Sequence, residues 1–219
     1  MATNAASTPR WVWIGLAASV SLLLIASAAL WALRSGTAGG LPVLAEMPDF
    51  RLVDQQGRPV AAADVGGKVL LVGFIYTSCD DICPVVTAQM KQLQEDLAAA
   101  GLLGEVQLLS ISVDPEQDTP ARLEAYARQF QADTATWRFL TGEPEHVRRV
   151  VVEGFLLGVQ KLPAAHSGHG GTARPDYRVE HSGRIALVDR EGQIRAYYDG
   201  TAPDLIRIAE EARGLARGR

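Results

Sequence analysis

The sequence predicts an α/β layer fold with a mixed sheet, and three patterns support this prediction. Two continuous apolar runs of strand length, Val69 to Tyr76 and Val106 to Val113, indicate buried central strands. The segment between them has helical periodicity, and strand, helix and strand in this order form a right-handed parallel crossover unit. Two later strands, Arg184 to Asp189 and Gln193 to Tyr198, flank a short turn and add an antiparallel hairpin.

The N-terminal part contains an uncharged apolar run from Trp11 to Leu33. A helix of that length is about 34 Å long, which is enough to cross the hydrocarbon core of a bilayer. We therefore expect one transmembrane helix over residues 11–33, with residues 1–10 as a short cytoplasmic tail. A cleaved signal peptide is the alternative, with Ala26 to Ala28 as its cleavage site, but a signal sequence has a shorter apolar region than this run.

Residues 34–48 are rich in Gly, Ala and Pro and are interpreted as a linker, so that residues 49–219 form the folded domain. Phe50 to Val60 is typical of a hairpin, because Gln56-Gly57 lies near its centre. Pro84 to Ala100 predicts a helix, since apolar residues recur at helical spacing and Gly101 follows.

The second half of the domain continues with helices, a strand and a loop. Thr119-Pro120 opens a helix as N-cap and first helical residue, and this helix ends near Gln131. The remaining predicted elements are a strand at Trp137 to Thr141, a helix at Glu143 to Phe155, a loop over 156–178 and a final amphipathic helix at Pro203 to Ala216. The order suits a thioredoxin-like fold, although spacing alone does not separate it from other small α/β folds.

The charge of the chain argues against nucleic acid as a partner. The formal net charge is −4, and residues 1–34 contribute two arginines and no acid, which leaves −6 on the rest. A mildly acidic domain with no run of Lys and Arg is a poor binder of phosphate backbones.

The only two cysteines, Cys79 and Cys83, lie in one short segment before the first predicted helix. They are too close in sequence to staple a whole domain, so a local redox or metal pair is expected. If Pro84 is the first helical residue, Cys83 lies at or near the N-cap, where the helix dipole lowers a thiol pKa. In a helical turn the two Cα atoms would be about 6 Å apart, so the pair could close a disulfide or hold a metal.

Two thiolates are soft ligands that select Cu(I) or Zn(II). A structural zinc site needs two further ligands, and no second cysteine pair exists. A histidine could complete a three-coordinate site. His181 stands just before the Arg184 to Asp189 strand, where thioredoxins place a cis-proline, and from spacing alone a surface histidine and a ligand remain equally open.

Three segments in order resemble the Sco/SenC copper metallochaperone family over roughly residues 45–215. The segments are GFIYTSCDDICP at 73–84, SISVDPEQDTP at 110–120 and YRVEHSGRIALVD at 177–189. The resemblance implies a thioredoxin-like fold in which Cys79, Cys83 and His181 bind one Cu(I) or Cu(II) ion. The chain departs from the family at Asp80, where Pro often follows the first cysteine, and at Glu180, where Asp commonly precedes the histidine.

The family resemblance also implies a function and a location. The function is maturation of the dinuclear copper centre in a subunit of cytochrome c oxidase, by copper delivery, by reduction of the target cysteines, or both. Because the N-terminus is not an Arg-rich transit peptide, we expect the inner membrane of a bacterium, with the domain in the periplasm. Cysteines there need re-reduction, so a thioredoxin-like reductase and a periplasmic copper donor are expected partners beside the oxidase subunit.

Other polar residues near the predicted site have competing interpretations. Asp114 could tune the metal but is favoured as a turn residue, because Pro115 follows it. Asp80 and Asp81 could favour a cation or be solvated loop residues. His166 and His169 could capture copper transiently, although a plain surface segment is favoured, and His146 is expected to be exposed on a helix.

Three function classes remain open from the residues themselves. A metallochaperone without catalytic activity is the first. A thiol-disulfide reductase or a peroxiredoxin-like peroxidase is the second, although a thioredoxin would carry CxxC, and neither cysteine has the expected Thr or Ser three residues before it. A sensor that reports copper or oxidation to a signalling partner is the third.

Overall fold

The chain forms a central sheet with helices, and a small separate hairpin lies beside it. The computed structural model describes residues 40–163, 177–181 and 183–218. The strands of these residues are β1 (Ala45–Glu46), β2 (Arg51–Asp54), β3 (Pro59–Ala61), β4 (Val69–Ile75), β5 (Val106–Ser112), β6 (Trp137–Thr141), β7 (Val159–Pro163), β8 (Tyr177–His181), β9 (Arg184–Val188) and β10 (Gln193–Asp199). The helices are α1 (Ile82–Ala99), α2 (Pro120–Gln129), α3 (Pro144–Arg148), α4 (Leu205–Ala216), a 3₁₀-helix (Ala62–Asp64) and a π-helix (Arg149–Gly154).

The main sheet is mixed, as the sequence predicts. Its strand order is β1-β10-β9-β4-β5-β6-β2-β3. The pairs β4–β5 and β5–β6 are parallel, whereas β9 and β2 join their neighbours in antiparallel fashion. Every residue of β4 and β5 is buried, as expected for central strands whose two faces are both covered. Helix α1 approaches β4 closely, since Gly73 leaves room for the side chain of Met90 above the strand.

The interpretation of residues 156–178 as a loop is wrong at both ends. Residues 159–163 form β7, and residues 177–181 form β8, which pair only with each other in a second, two-stranded antiparallel sheet. The register joins Val159 to His181 at the base of this hairpin. Residues 177–180 alternate apolar and polar side chains, a strand signal that the loop interpretation overlooked, whereas residues 159–163 show no such alternation. His166 and His169 lie outside the described residues.

Two predicted helices differ in detail. Helix α1 begins at Ile82 with Asp81 as its N-cap, so Pro84 is the third helical residue and Cys83 is not the N-cap. The first turn of a helix has no intrahelical partners for its N–H groups, and Pro is therefore tolerated throughout that turn. The predicted helix at Glu143 to Phe155 is a short α-helix that continues as the π-helix, with Glu143 as its N-cap.

The predicted linker is partly structured. Its residues Ala45–Glu46 form β1 and pair with Ile194 and Gln193 of β10. Arg195 donates hydrogen bonds to the carbonyl oxygen of Leu41, which also fixes this segment to the domain. The predicted tail, residues 1–10, and the predicted transmembrane segment, residues 11–33, lie outside the described residues. Among the residues that are described, none of the helices is both long and apolar enough to cross a bilayer.

Candidate metal centre

The two cysteines lie where β4 ends and α1 begins. Cys83 is completely buried, whereas Cys79 retains 9% of its exposure, and no disulfide joins them. The backbone N–H of Cys83, in the first turn of α1, donates a hydrogen bond to the Sγ of Cys79 at 3.4 Å. The N-terminus of α1 therefore donates a hydrogen bond to the sulfur of Cys79, whereas the sequence suggests that it would stabilise the sulfur of Cys83.

The surroundings hold the thiol of Cys83 in its protonated form. Its hydrogen bond with the side chain of Cys79 raises the pKa of Cys83 most, and burial raises it further. A nearby backbone N–H of Tyr76 opposes this shift in pKa, but does not reverse it. Binding of a soft cation would have to displace this proton, since the thiolate is the form that binds metal.

Two tyrosines lie against the sulfurs. Burial raises the pKa of Tyr76, and the adjacent Cys79, which is hydrogen-bonded to the Tyr76 hydroxyl, raises it further. Burial also raises the pKa of Tyr126, whose hydroxyl is 2.8 Å from the Oγ1 of Thr87. The same Thr87 hydroxyl donates to the carbonyl oxygen of Cys83 at 2.8 Å. The Cys83 end of the site is therefore tied to α2 through a buried pair of hydroxyl groups.

A buried carboxylate supports the turn before Cys79. Asp118 accepts hydrogen bonds from the Oγ1 of Thr77 at 2.5 Å, from the backbone N–H of Thr77 at 3.2 Å and from the Oγ of Ser112 at 2.6 Å. Burial raises the pKa of Asp118, although these hydrogen bonds act in the opposite direction. Sequence reasoning missed Asp118 and Thr77. The one sequence signal for them is that Thr77 lies in the family segment at 73–84 and Asp118 in the family segment at 110–120.

The backbone approaches the cysteine segment on either side of His181, once within β8 and once just after it. Two residues before it, the backbone N–H of Val179 is hydrogen-bonded to the Tyr76 hydroxyl. Two residues after it, Gly183 lies so close to α1 that a Cβ there would be 3.3 Å from the Cδ1 of Ile82. The backbone of His181 is thus bracketed by contacts with the residues that flank the cysteines, while its side chain lies outside what the structure describes.

The residues suit a soft cation better than a hard one. The two cysteine side chains are hydrogen-bonded to each other, and soft sulfur donors favour Cu(I) or Zn(II). Within the described part of the chain, no group of three or more His, Cys, Asp or Glu side chains could hold a metal ion. The backbone contacts of Val179 and Gly183 bring the backbone of His181 near the cysteine segment.

The remaining predicted residues take different positions. Asp80 and Asp81 are exposed, beside the cysteines. Asp114 is buried and serves a turn, because its carbonyl oxygen accepts the backbone N–H groups of Gln117 and Asp118 at 3.0 Å. His146 lies on α3, half-buried, and its Nε2 accepts the backbone N–H of Arg51 at 3.1 Å. The turn interpretation of Asp114 agrees with these contacts. His146 contacts β2, which is three strands away from β4 in the sheet order.

Comparisons of the sequence with a family model and with known proteins point to the same family. The family model described as SCO1/SenC matches residues 42–217. A SCO1 protein homolog of Bacillus subtilis is 31% identical over 160 residues, which are 73% of this chain and 76% of that protein. A putative copper-binding protein of Stutzerimonas stutzeri is 32% identical over 157 residues, covering 72% of this chain and 71% of that protein.

Solved structures agree with these matches. The structure of Bradyrhizobium japonicum ScoI with copper bound has a TM-score of 0.63 and 28% identity, and the match covers 79% of this chain and 99% of that chain. A structure of BsSco, described as a member of the Sco family of cytochrome c oxidase assembly proteins with a disulfide switch, has a TM-score of 0.68 and 27% identity. That match covers 83% of this chain and 99% of that chain. The thioredoxin-like fold predicted from the sequence is the fold of these proteins.

Proposed function

Because the chain belongs to the SCO1/SenC family, we propose that it is a copper metallochaperone that binds one copper ion through Cys79, Cys83 and His181. Its cargo is destined for the dinuclear copper centre of a cytochrome c oxidase. The proposal extends to this chain what the names of its relatives say of them, namely copper binding and oxidase assembly.

The observation that supports the proposal is that the backbone on either side of His181 approaches the cysteine segment. The sulfurs of Cys79 and Cys83 lie at one helix N-terminus and are hydrogen-bonded to each other. The backbone of Val179, in β8, is hydrogen-bonded to Tyr76, and Gly183, after β8, lies close to Ile82. Two thiolates and a neutral imidazole around Cu(I) carry a net charge of −1. The N-terminus of the helix, where the N–H of Cys83 already donates to the sulfur of Cys79, stabilises such a charge.

The site of action follows from the chemistry of the cargo. We place the domain in the periplasm of a bacterium and attach it to the inner membrane through residues 11–33. There, a periplasmic copper donor loads it, a thioredoxin-like reductase returns its cysteines to the dithiol form, and the copper-binding oxidase subunit accepts the metal. The structured segment from Leu41 onward implies that a tether to the domain would be short.

A second candidate function is reduction of disulfides in the oxidase subunit. The observation that favours it is the asymmetry of the cysteines, since the more exposed Cys79 accepts the helical N–H and the buried Cys83 stays protonated. In such a reaction the Cys79 thiolate attacks the target disulfide and forms a mixed disulfide. Cys83 then displaces the target thiolate, which leaves a reduced target and an oxidised protein.

Copper titration of the full-length reduced protein tests the first function. We expect one Cu(I) per wild-type chain, loss of tight binding in Cys79→Ser and Cys83→Ser, and weaker binding in His181→Ala. His146→Ala is the matched control, because this histidine is held by Arg51 away from the cysteines and should leave binding unchanged. Unchanged copper stoichiometry and affinity in the two cysteine variants would refute the proposed site.

Complementation of a deletion strain separates the two functions. Oxidase activity is measured with wild type, Cys83→Ser and His181→Ala, with added copper or added reductant. Rescue of the variants by copper alone supports delivery, whereas rescue by reductant alone supports the thiol function.

A further inference from the structure

Asp118 is buried to 1% exposure next to the cysteine turn, and neither proposed function assigns it a role. It lies before α2, in a loop that follows β5. Its carboxylate accepts four hydrogen-bond contacts, three from the hydroxyl and backbone N–H of Thr77 and one from the hydroxyl of Ser112.

The residues that donate these hydrogen bonds lie at the end of β5 and just after the end of β4. Ser112 is the last residue of β5 and pairs with Ile75, the last residue of β4. Thr77 lies in the turn that the hydrogen bond from the Cys79 N–H to the Tyr76 carbonyl oxygen closes at 3.3 Å. One carboxylate therefore connects the end of β5 to the turn that presents Cys79.

Two other buried carboxylates in the described residues, those of Asp54 and Asp189, are used differently. Asp54 is equally buried, but it accepts the N–H groups of its own turn and pairs with Arg58 at 2.8 Å. Asp189 likewise serves its own turn and pairs with Arg195 at 2.7 Å. The hydrogen bonds from Thr77 to Asp118 instead span 41 residues of sequence and hold a residue two positions before Cys79.

We propose that Asp118 is a positioning residue, which holds the Thr77–Cys79 turn so that the Sγ of Cys79 stays against the N-terminus of α1 and beside Cys83. This role refines the proposed copper function. Only the copper measurement described below depends on that function, because the second measurement is made without metal. Neither Asp118 nor Thr77 contacts the metal in this role. Their loss should therefore weaken the site without abolishing it, as for residues that orient metal ligands.

The test uses full-length Asp118→Asn, Thr77→Val and Thr77→Ser, with Asp54→Asn as the control of equal burial at the far edge of the sheet. Two quantities are measured. One is the affinity for Cu(I), in competition with a chromophoric chelator. The other is metal-free and follows the exchange in which protein dithiol and glutathione disulfide yield protein disulfide and two glutathione thiols.

We expect Asp118→Asn and Thr77→Val to lower Cu(I) affinity at least about tenfold. Because the released turn lowers the effective concentration of one thiol at the other, the protein disulfide should also become less stable by about tenfold, or about 30 mV for this two-electron couple. Thr77→Ser keeps the hydroxyl and should remain close to wild type. Asp54→Asn should lose thermal stability without a change in either quantity.

Equal effects of Asp54→Asn and Asp118→Asn on both quantities would overturn the positioning role, as would wild-type behaviour of Thr77→Val. If the wild-type protein binds no copper, the proposed copper function fails. The glutathione equilibrium then still decides whether Asp118 positions the dithiol. If Asp118→Asn does not fold, the comparison of Thr77→Val with Thr77→Ser decides the question.

Discussion

The Sγ of Cys79 lies 3.4 Å from the backbone nitrogen of Cys83 and accepts its hydrogen bond. Two cysteines that are four residues apart are thereby made chemically unequal. The first sulfur accepts a hydrogen bond at a helix N-terminus and its residue keeps 9% of its exposure, whereas the second cysteine is fully buried and its thiol has a raised pKa. Both metal capture and disulfide exchange would begin at Cys79 in such an arrangement.

This inequality predicts different rates of alkylation. In the reduced, metal-free protein, iodoacetamide should modify Cys79 at least about tenfold faster than Cys83, because a buried protonated thiol is inert. Mass spectrometry of peptides from a time course measures both rates in one sample. Cys79→Ser should react only slowly, and equal rates for the two cysteines in wild type would contradict the asymmetry.

The same environment predicts a loss of stability at alkaline pH. The pKa of Cys83 is raised above its ordinary value of 9.0 in the folded protein, so the unfolded chain releases this proton at a lower pH than the folded protein does. The stabilising contribution is therefore fully present below pH 9.0 and is lost as the pH rises above that value. Buried Tyr76 and Tyr126 act with the same sign above their ordinary pKa of 10.0.

Thermal unfolding of the reduced protein as a function of pH measures this effect. The melting temperature of wild type should fall more steeply above pH 9.0 than that of Cys83→Ser, because serine does not titrate in this range. Identical pH profiles for the two proteins would show that the Cys83 thiol does not contribute.

The hydroxyl pair behind Cys83 gives a third prediction. Thr87→Val keeps the shape of the side chain but leaves the Tyr126 hydroxyl and the Cys83 carbonyl without the contacts of 2.8 Å. We expect the free energy of unfolding to fall by about 1–3 kcal/mol, the cost of a buried polar group without a partner. Urea denaturation measures this change.

A double-mutant cycle supplies the control for Thr87. Tyr126→Phe in the Thr87→Val background removes the stranded hydroxyl, so the double variant should be more stable than the sum of the two single changes predicts. Strict additivity would mean that the two hydroxyl groups do not interact.

The sequence predicts those parts of the site that depend on local pattern. The buried strands β4 and β5 are continuous apolar runs, and Thr119-Pro120 opens α2 with the side-chain oxygen of Thr119 accepting the Arg122 N–H. These features are local, so sequence reasoning finds them. The two cysteines are similarly conspicuous, because their spacing and the following Pro84 occur in one short segment.

The parts that sequence reasoning missed depend on contacts between distant segments. Within the described residues, β8 pairs with the distant β7, whose sequence does not alternate, and the alternation in β8 itself is short and lies close to Gly and Pro. Asp118 looks like one of several acids before a helix, and its role arises only from burial against Thr77 and Ser112. Pro84 is compatible with any place in the first helical turn, so it did not fix where α1 begins.

A last prediction concerns the backbone next to His181. The N–H of Gly200, after β10, donates to the carbonyl oxygen of Gly183 at 2.7 Å, and a Cβ at Gly200 would lie 2.6 Å from that same oxygen. Gly200→Ala must therefore displace the Gly183 backbone, and we expect it to cost about 1–3 kcal/mol of stability, as overpacking does. Because Gly183 lies two residues after His181, Cu(I) affinity should fall as well if His181 is a ligand.

Gly104→Ala is the matched control, since a Cβ there meets no atom within 4 Å, and it should leave both quantities close to wild type. Chemical denaturation and competition for Cu(I) measure the two effects in the same preparations. The variant His181→Ala separates them further, because Gly200→Ala should have little additional effect on copper affinity once the imidazole is absent. A Gly200→Ala protein that is destabilised but binds copper like wild type would show that the Gly183 contact does not position the third ligand.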